Sequence, residues 1–319
     1  MSSAALGVLS PPVTLHGLLF GFQSGLISYV GVGLEFCAVV WYFACRHRLG
    51  GRGRHWTSGR TVAFVLGVVM IVIATESGLA SYDDSVFTMH VVQHLILMNV
   101  APILLALGAP VTLALQASRR RTQQRLLRLL HSRVVETLTF PVVAAGIAYV
   151  TMIVYFLTPV YVFSEQHPLI HDLVHLHFLI AGCIYWWPVV GLDPSRWRLS
   201  YPARLGYLAS GIPVNAILGV ALTNQRLSID SAIHTVADTH AGGAILWGGG
   251  ELLIVAALGV MFVQWSNFDR RESIRQDRRL DRELAAEGAL LAGGSLGLRP
   301  PDPPPAGSEA GTSTPGPAG

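Results

Sequence analysis

Long apolar runs alternate with shorter polar segments along most of the chain. A helix needs about 20 predominantly apolar residues to cross the roughly 30 Å hydrocarbon layer of a bilayer. Seven runs satisfy this requirement, at residues 24–45, 61–80, 86–116, 137–159, 168–191, 202–224 and 240–266. The pattern therefore predicts an all-α fold, a polytopic transmembrane helix bundle with seven spans.

The segments outside these runs complete the predicted domain organisation. Residues 1–23 lack a basic start and a small-residue cleavage site, so we expect them to remain as an extracytoplasmic N-terminal segment before the transmembrane domain, 24–266. Residues 267–290 are charged and predicted to be a cytoplasmic helix. Residues 291–319 are rich in proline and glycine, which predicts a disordered tail.

Composition supports a membrane location and narrows the class of protein. The chain is 51% hydrophobic and 13% charged, unlike a typical soluble domain. All 22 basic residues are arginine, so there is no lysine to form a retinylidene Schiff base, and a retinal protein is excluded. Cys37, Cys45 and Cys183 show no CxxC spacing, so the sequence does not indicate a thiolate metal site.

The arginines predict the orientation of the bundle. All of them except Arg226 fall in the alternate loops after spans one, three and five, at the start of span six, or in the C-terminal tail. The positive-inside rule places this set in the cytoplasm, which gives an outer N-terminus and a cytoplasmic C-terminus. Such basic loops favour contact with anionic membrane lipids, and we do not expect nucleic acid as a partner.

This orientation places most of the histidines on one side of the membrane. Nine of the 12 lie in outer loops or outer helical turns: His16, His90, His94, His167, His171, His175, His177, His234 and His240. A single histidine at this depth is more often an interfacial hydrogen-bonding residue than a metal ligand. Two pairs at matching depth favour a metal site.

The third predicted helix carries the first pair. His90 and His94 are four residues apart, so their side chains share one helical face at about 6 Å. Met98 continues that face one turn deeper. Imidazole and thioether ligands favour copper over magnesium or calcium.

The fifth and seventh predicted helices carry further candidates. His171 and His175 repeat the four-residue spacing, and Asp172 beside them could orient an imidazole through a hydrogen bond. His240 begins the seventh helix and Asp238 precedes it. We treat His240 as a possible ligand and Asp238 as a possible orienting group.

Three carboxylates lie within predicted spans. Glu35 and Glu251 fall near the middle of the membrane, and Glu76 lies near the outer end of the second span. Ionisable groups are expensive there and usually face the bundle interior. Helix–helix hydrogen bonding and an ion or proton relay both remain open as roles for them.

Several segments together resemble a known family. They are MHVVQHLILM at 89–98, LGAPVTL at 107–113, the pair His171 and His175, WPVVGLDP at 187–194 and GGAILW at 242–247. Over residues 24–266 the chain resembles the CtaG-type cytochrome c oxidase assembly factors. The run at 89–98 is the most specific of these segments.

The resemblance implies a seven-span protein of the bacterial plasma membrane that helps to assemble a haem-copper oxidase. It would bind copper at the outer face and deliver it to oxidase subunits, its expected partners, as a metallochaperone and not an enzyme. A copper transporter lined by Glu35, Glu251 and the outer histidines remains an alternative. A haem-binding electron carrier with histidine axial ligands is another.

Overall fold

The computed structural model describes residues 14, 16–17, 21–22, 26–83, 85–227, 229–230 and 233–295. Within these residues the chain is helical and contains no β-strand, so the predicted all-α class is confirmed. Most of the predicted N-terminal segment and residues 296–319 of the predicted tail lie outside the described residues.

Helices of 5 to 60 residues follow one another along the chain. In chain order they are α1 (Leu26–Gly50), α2 (Ser58–Thr75), α3 (Gly78–Tyr82), α4 (Phe87–Leu95), α5 (Ala101–Leu107), α6 (Pro110–Ala117), α7 (Arg120–Leu130), α8 (Arg133–Leu138), α9 (Pro141–Leu157), α10 (Val160–Glu165), α11 (Pro168–Val190), α12 (Tyr201–Ala209), α13 (Gly211–Thr223) and α14 (Val236–Ser295). A π-helical turn, Ile96–Val100, joins α4 to α5.

Six helical stretches in the described residues are long and apolar enough to cross a membrane. They comprise α1, α2, the stretch Phe87–Ala117, α11, the pair α12 and α13, and α14. The predicted span 137–159 forms α9, which has 17 residues and is at the short limit for crossing. The protein is therefore a multi-pass membrane protein, while seven spans and the orientation of the termini stay predictions.

The stretch Phe87–Ala117 is broken once near its end. Ala109 has a left-handed conformation with φ of 47°, and Pro110 then begins α6, where its missing N–H costs no helical hydrogen bond. The Asp193 carboxylate accepts hydrogen bonds from the free backbone N–H groups of Val111 at 3.3 Å and Thr112 at 2.6 Å. A residue from the segment after α11 thus caps α6.

Helix α11 lies at the centre of the bundle that forms the site. It packs against α5, α9, α10 and the π-helical turn, and α2 packs against α5. Large apolar side chains on the outside remain exposed, including Leu34, Val142 and Leu252. Such exposure is expected where the solvent is lipid.

The chain divides into two compact units, Met1–Val263 and Gln264–Gly319. The first contains all of the candidate site residues. Helix α14 begins in the first unit and ends in the second, so the predicted charged segment 267–290 is helical as part of α14. The predicted domain boundaries themselves stay predictions.

Candidate metal centre

Four histidines from two helices meet in the bundle, and we name His90, His94, His171 and His175 the histidine cluster. Their ring centroids are 4.3 Å apart within each helix, for the α4 pair and for the α11 pair alike. Between the helices, His90 lies 5.4 Å from His171 and His94 lies 5.3 Å from His175. The two predicted pairs therefore form one group, and their role as metal ligands stays a prediction.

A glycine allows the two helices to approach this closely. Gly182 lies seven residues after His175 on the same face of α11. A side chain at Gly182 would overlap the backbone carbonyl of Met98 in the π-helical turn. The absence of that side chain lets α11 pack directly on this turn, which places its histidines beside those of α4.

The cluster contains buried nitrogen atoms that the protein does not satisfy. His90 and His94 are fully buried, and His175 is 8% exposed. Within the described residues, Nδ1 of His90, both ring nitrogens of His94 and Nε2 of His175 have no hydrogen-bond partner. Buried polar atoms are normally paired, because leaving them without a partner costs free energy. These imidazoles are suited to hold an ion.

Two carboxylates from outside the spans extend the cluster. Oε1 of Glu165 lies 3.6 Å from Nδ1 of His90 and 3.6 Å from Nε2 of His171. Oδ2 of Asp83 lies 3.8 Å from Nε2 of His171. Possible ligand atoms of Asp83, His90 and His171 all lie within 4.8 Å of one another.

Our sequence interpretation missed Glu165 and Asp83 as site residues. One signal was available: both are acidic residues in predicted outer loops, beside the helices that carry the histidine pairs. Asp83 and Glu165 lie in two different connecting segments. Spacing along the chain therefore does not show that both reach the histidine cluster.

Asp238 positions the start of α4. Its carboxylate accepts hydrogen bonds from the backbone N–H groups of Phe87 at 2.7 Å and Thr88 at 3.1 Å. It also accepts one from the Thr88 hydroxyl at 2.6 Å, and it lies 3.7 Å from Nδ1 of His234. Asp238 thus caps the helix that carries His90.

A tyrosine beside the cluster retains its proton. Burial, together with the negative charge of Glu165, raises the pKa of the Tyr161 hydroxyl well above its usual range. This hydroxyl lies 2.7 Å from Nε2 of His234. Tyr161 therefore remains a hydrogen-bonding phenol next to the carboxylate.

Two residues that the sequence predicted as metal ligands, Met98 and His240, make other contacts. Met98 is buried in the hydrophobic core at 5% exposure, within the π-helical turn and not in the regular α-helix that the ladder prediction assumed. Nε2 of His240 is hydrogen-bonded to the backbone carbonyl of Gln225 at 2.8 Å. In the described part of the chain, the ring contacts of the histidine cluster do not extend to His240.

A cavity of about 700 Å³ lies beside the cluster between α1, α2 and α11. Apolar residues form most of its wall, together with Glu35, Glu76, Asp172 and His175. Asp172 therefore faces this cavity with the two glutamates. Glu251, which is partly buried in α14, is not among the residues that line it.

The fold and the site together define a multi-pass membrane protein with a buried candidate metal centre. The chain belongs to the family of cytochrome c oxidase caa3 assembly factors (Caa3_CtaG), whose family model matches residues 40–267. The predicted resemblance to this family is confirmed. All four histidines of the cluster lie inside the matched region.

The curated relatives are uncharacterized mycobacterial proteins. The chain is 31% identical over 303 residues to proteins of Mycobacterium bovis and Mycobacterium tuberculosis, covering 88% of this chain and 45% of each relative. It is 33% identical over 267 residues to a protein of Mycobacterium leprae, covering 77% of this chain and 40% of that relative. The chain thus spans less than half the length of these relatives. No solved structure matches it.

Proposed function

We propose that this assembly factor binds a copper ion in the histidine cluster, near the outer membrane face, and delivers it to a subunit of the oxidase. Membership of the assembly-factor family supports a role in building the oxidase and favours a non-catalytic protein. The observation that carries the copper proposal is the set of buried imidazole nitrogens from α4 and α11 that have no hydrogen-bond partner in the described residues.

The ligand types favour a transition metal. Imidazole suits copper, zinc, iron and nickel, whereas magnesium and calcium prefer oxygen ligands. A haem-copper oxidase contains copper, so this ion connects the site with the family. The protein holds the copper ion only transiently, because an ion that is delivered to the oxidase must also dissociate from the cluster.

Ring packing disfavours haem in this position. His94 lies 4.1 Å from Phe178 and 5.0 Å from Tyr155, and His90 lies 5.0 Å from Tyr161, all between ring centroids. These aromatic rings occupy the space around the imidazoles that a porphyrin between two axial ligands would need. An absorption spectrum without a Soret band is the expected result.

The experiment that tests the proposal measures the copper content of the purified protein. Replacing His90 and His175 together by alanine should abolish copper binding, because α4 and α11 then each lose an imidazole whose nitrogen has no hydrogen-bond partner in the described residues. His177→Ala is the matched control, since His177 lies on the same helix but is exposed and hydrogen-bonded to Thr151 at 2.9 Å. Unchanged copper in the double variant would defeat the proposal.

A copper transporter is the second candidate, and the cavity beside His175 favours it. Uptake of copper into vesicles that contain the protein, reduced by Glu35→Gln, would support transport. Binding without uptake, together with loss of oxidase activity when the double histidine variant replaces the natural protein in a deletion strain, supports delivery.

A further inference from the structure

A chain of hydrogen bonds, in which each donor and acceptor can be assigned, determines which nitrogen of His90 carries the proton. The Ser164 hydroxyl donates to the backbone carbonyl of Tyr161 at 2.7 Å, which uses its single proton. Tyr155 must therefore donate to Ser164 at 3.1 Å and accept from Nε2 of His90 at 3.0 Å. A neutral His90 consequently carries its proton on Nε2 and presents a lone pair at Nδ1.

That lone pair faces a carboxylate in a buried place. Nδ1 of His90 lies 3.6 Å from Oε1 of Glu165, and the two side chains are 0% and 2% exposed. Both atoms are electron-pair donors, so their approach away from water is unfavourable unless a cation lies between them. The Asp83 carboxylate, which is also 2% exposed, lies 3.8 Å from Nε2 of His171, the second histidine beside Glu165.

The distances suit a single ion. Ligand atoms at about 2.0–2.2 Å from a metal lie about 3.4 Å apart in a tetrahedral site and about 3 Å apart in the square-planar geometry that Cu²⁺ prefers. The three measured separations in this group are 3.6, 3.6 and 3.8 Å. Shifts of less than about 1 Å would therefore bring the atoms to ligand positions in either geometry.

We infer that Asp83, Glu165, His90 and His171 form a mixed carboxylate and imidazole subsite for a divalent ion, Cu²⁺ in the assembly role. His94 and His175 form a separate, all-nitrogen part of the cluster. Tyr155 and Ser164 are positioning residues that hold His90 in the metal-binding tautomer. The inference rests on the proposed function and adds the oxidation state in which the ion first binds.

The charge of the group supports a divalent ion. Two carboxylates balance a charge of two, and oxygen ligands match Cu²⁺ better than Cu⁺, which prefers thiolate and thioether sulfur. Zn²⁺ shares this ligand preference, but a site of nitrogen and oxygen ligands binds Cu²⁺ more tightly. Cu²⁺ should therefore displace Zn²⁺ from the subsite.

Ser164→Ala tests the subsite without removing a ligand. It removes Ser164 as the acceptor of the Tyr155 hydroxyl, so Tyr155 can donate to Nε2 of His90 and the His90 proton can move to Nδ1. The metal-stripped full chain, titrated with Cu²⁺ alone, should then bind about 10-fold to 100-fold more weakly. Glu165→Gln and Asp83→Asn should weaken binding at least as much and alter the electron paramagnetic resonance spectrum of bound Cu²⁺.

The chain offers a matched control for this substitution. Ser210 donates to the Tyr207 carbonyl at 2.6 Å and lies 2.7 Å from the Tyr149 hydroxyl, an arrangement like that at Ser164. In this second hydrogen-bond chain, Tyr149 is hydrogen-bonded to Ser210 and Tyr185, not to a histidine. Ser210→Ala should therefore leave Cu²⁺ affinity unchanged.

The outcomes separate this inference from the proposed function. Wild-type Cu²⁺ affinity in Ser164→Ala, Glu165→Gln and Asp83→Asn would overturn the subsite, even if the His90 and His175 double variant loses copper. Copper retained by that double variant would instead overturn the proposed function. Equal loss in Ser164→Ala and Ser210→Ala would also overturn the tautomer argument.

Discussion

Two buried polar regions at opposite ends of the Phe87–Ala117 stretch differ in how well their atoms are satisfied. At the α6 end, Asp193 accepts hydrogen bonds from two backbone N–H groups. At the α4 end, Asp238 makes the same kind of cap, but the neighbouring His94 has no hydrogen-bond partner for either nitrogen among the described residues. A buried polar group whose hydrogen bonds are formed within the protein has a structural role, whereas a buried polar group without a hydrogen-bond partner indicates a ligand.

The largest stability effect should come from Gly182→Ala. Its methyl group would overlap the Met98 carbonyl, and overpacking of this kind costs about 1–3 kcal/mol. Because α11 must then move away from the π-helical turn, copper content should fall as well. Thermal unfolding in detergent and metal analysis measure both effects.

Gly146→Ala is the control for that substitution. An added Cβ at Gly146 meets nothing within 4 Å, so alanine should stabilise α9 by about 0.5–1 kcal/mol. Equal melting temperatures for the two variants would contradict the close approach of α11 and the π-helical turn.

A smaller effect tests the two caps against each other. Asp238→Ala and Asp193→Ala should each lower the free energy of unfolding by about 0.5–2 kcal/mol, because each leaves helix N–H groups without an acceptor. Copper affinity should fall only in Asp238→Ala, since α4 carries His90 and His94. An equal loss of affinity in both variants would show that the two ends are not functionally distinct.

The smallest effect is a pH dependence at the α6 end. Burial raises the pKa of the Asp193 carboxyl above its usual value, although hydrogen bonds from Thr112 and Val111 oppose the shift. From about pH 4 upward the unfolded chain releases this proton first. The Asp193 contribution to stability therefore declines as pH rises through the raised folded-state pKa.

Asp193→Asn should remove this part of the pH dependence. Melting temperatures of the natural protein and the variant, measured between about pH 4 and pH 7, give the comparison. Parallel curves would mean that Asp193 has the same pKa in the folded and unfolded chain.

The sequence was sufficient for the helices and for the histidine pairs. Apolar length predicts helices because lipid offers no hydrogen-bond partners to the backbone. The four-residue spacing places His90 with His94, and His171 with His175, because neighbours on one helical face follow from local geometry.

The sequence pattern could not predict contacts between segments that are distant along the chain. Glu165 and Asp83 reach the cluster from separate connecting segments, and Asp238 caps a helix that begins 151 residues earlier. Met98 was assigned by continuing regular α-helical spacing, which fails at a π-helical turn. His240 was placed by depth, which does not reveal its bond to the Gln225 carbonyl.

The π-helical turn determines how the centre responds to a change in chain length. In Ile96–Val100 the helix holds more residues per turn than an α-helix does, the local signature of an inserted residue. Deleting one residue there would restore α-helical winding with little rotation of α4 relative to α5, whereas the same deletion in a regular α-helix rotates the two parts by about 100°. His90 and His94 would thus still face α11, while the backbone turn on which Gly182 packs would change.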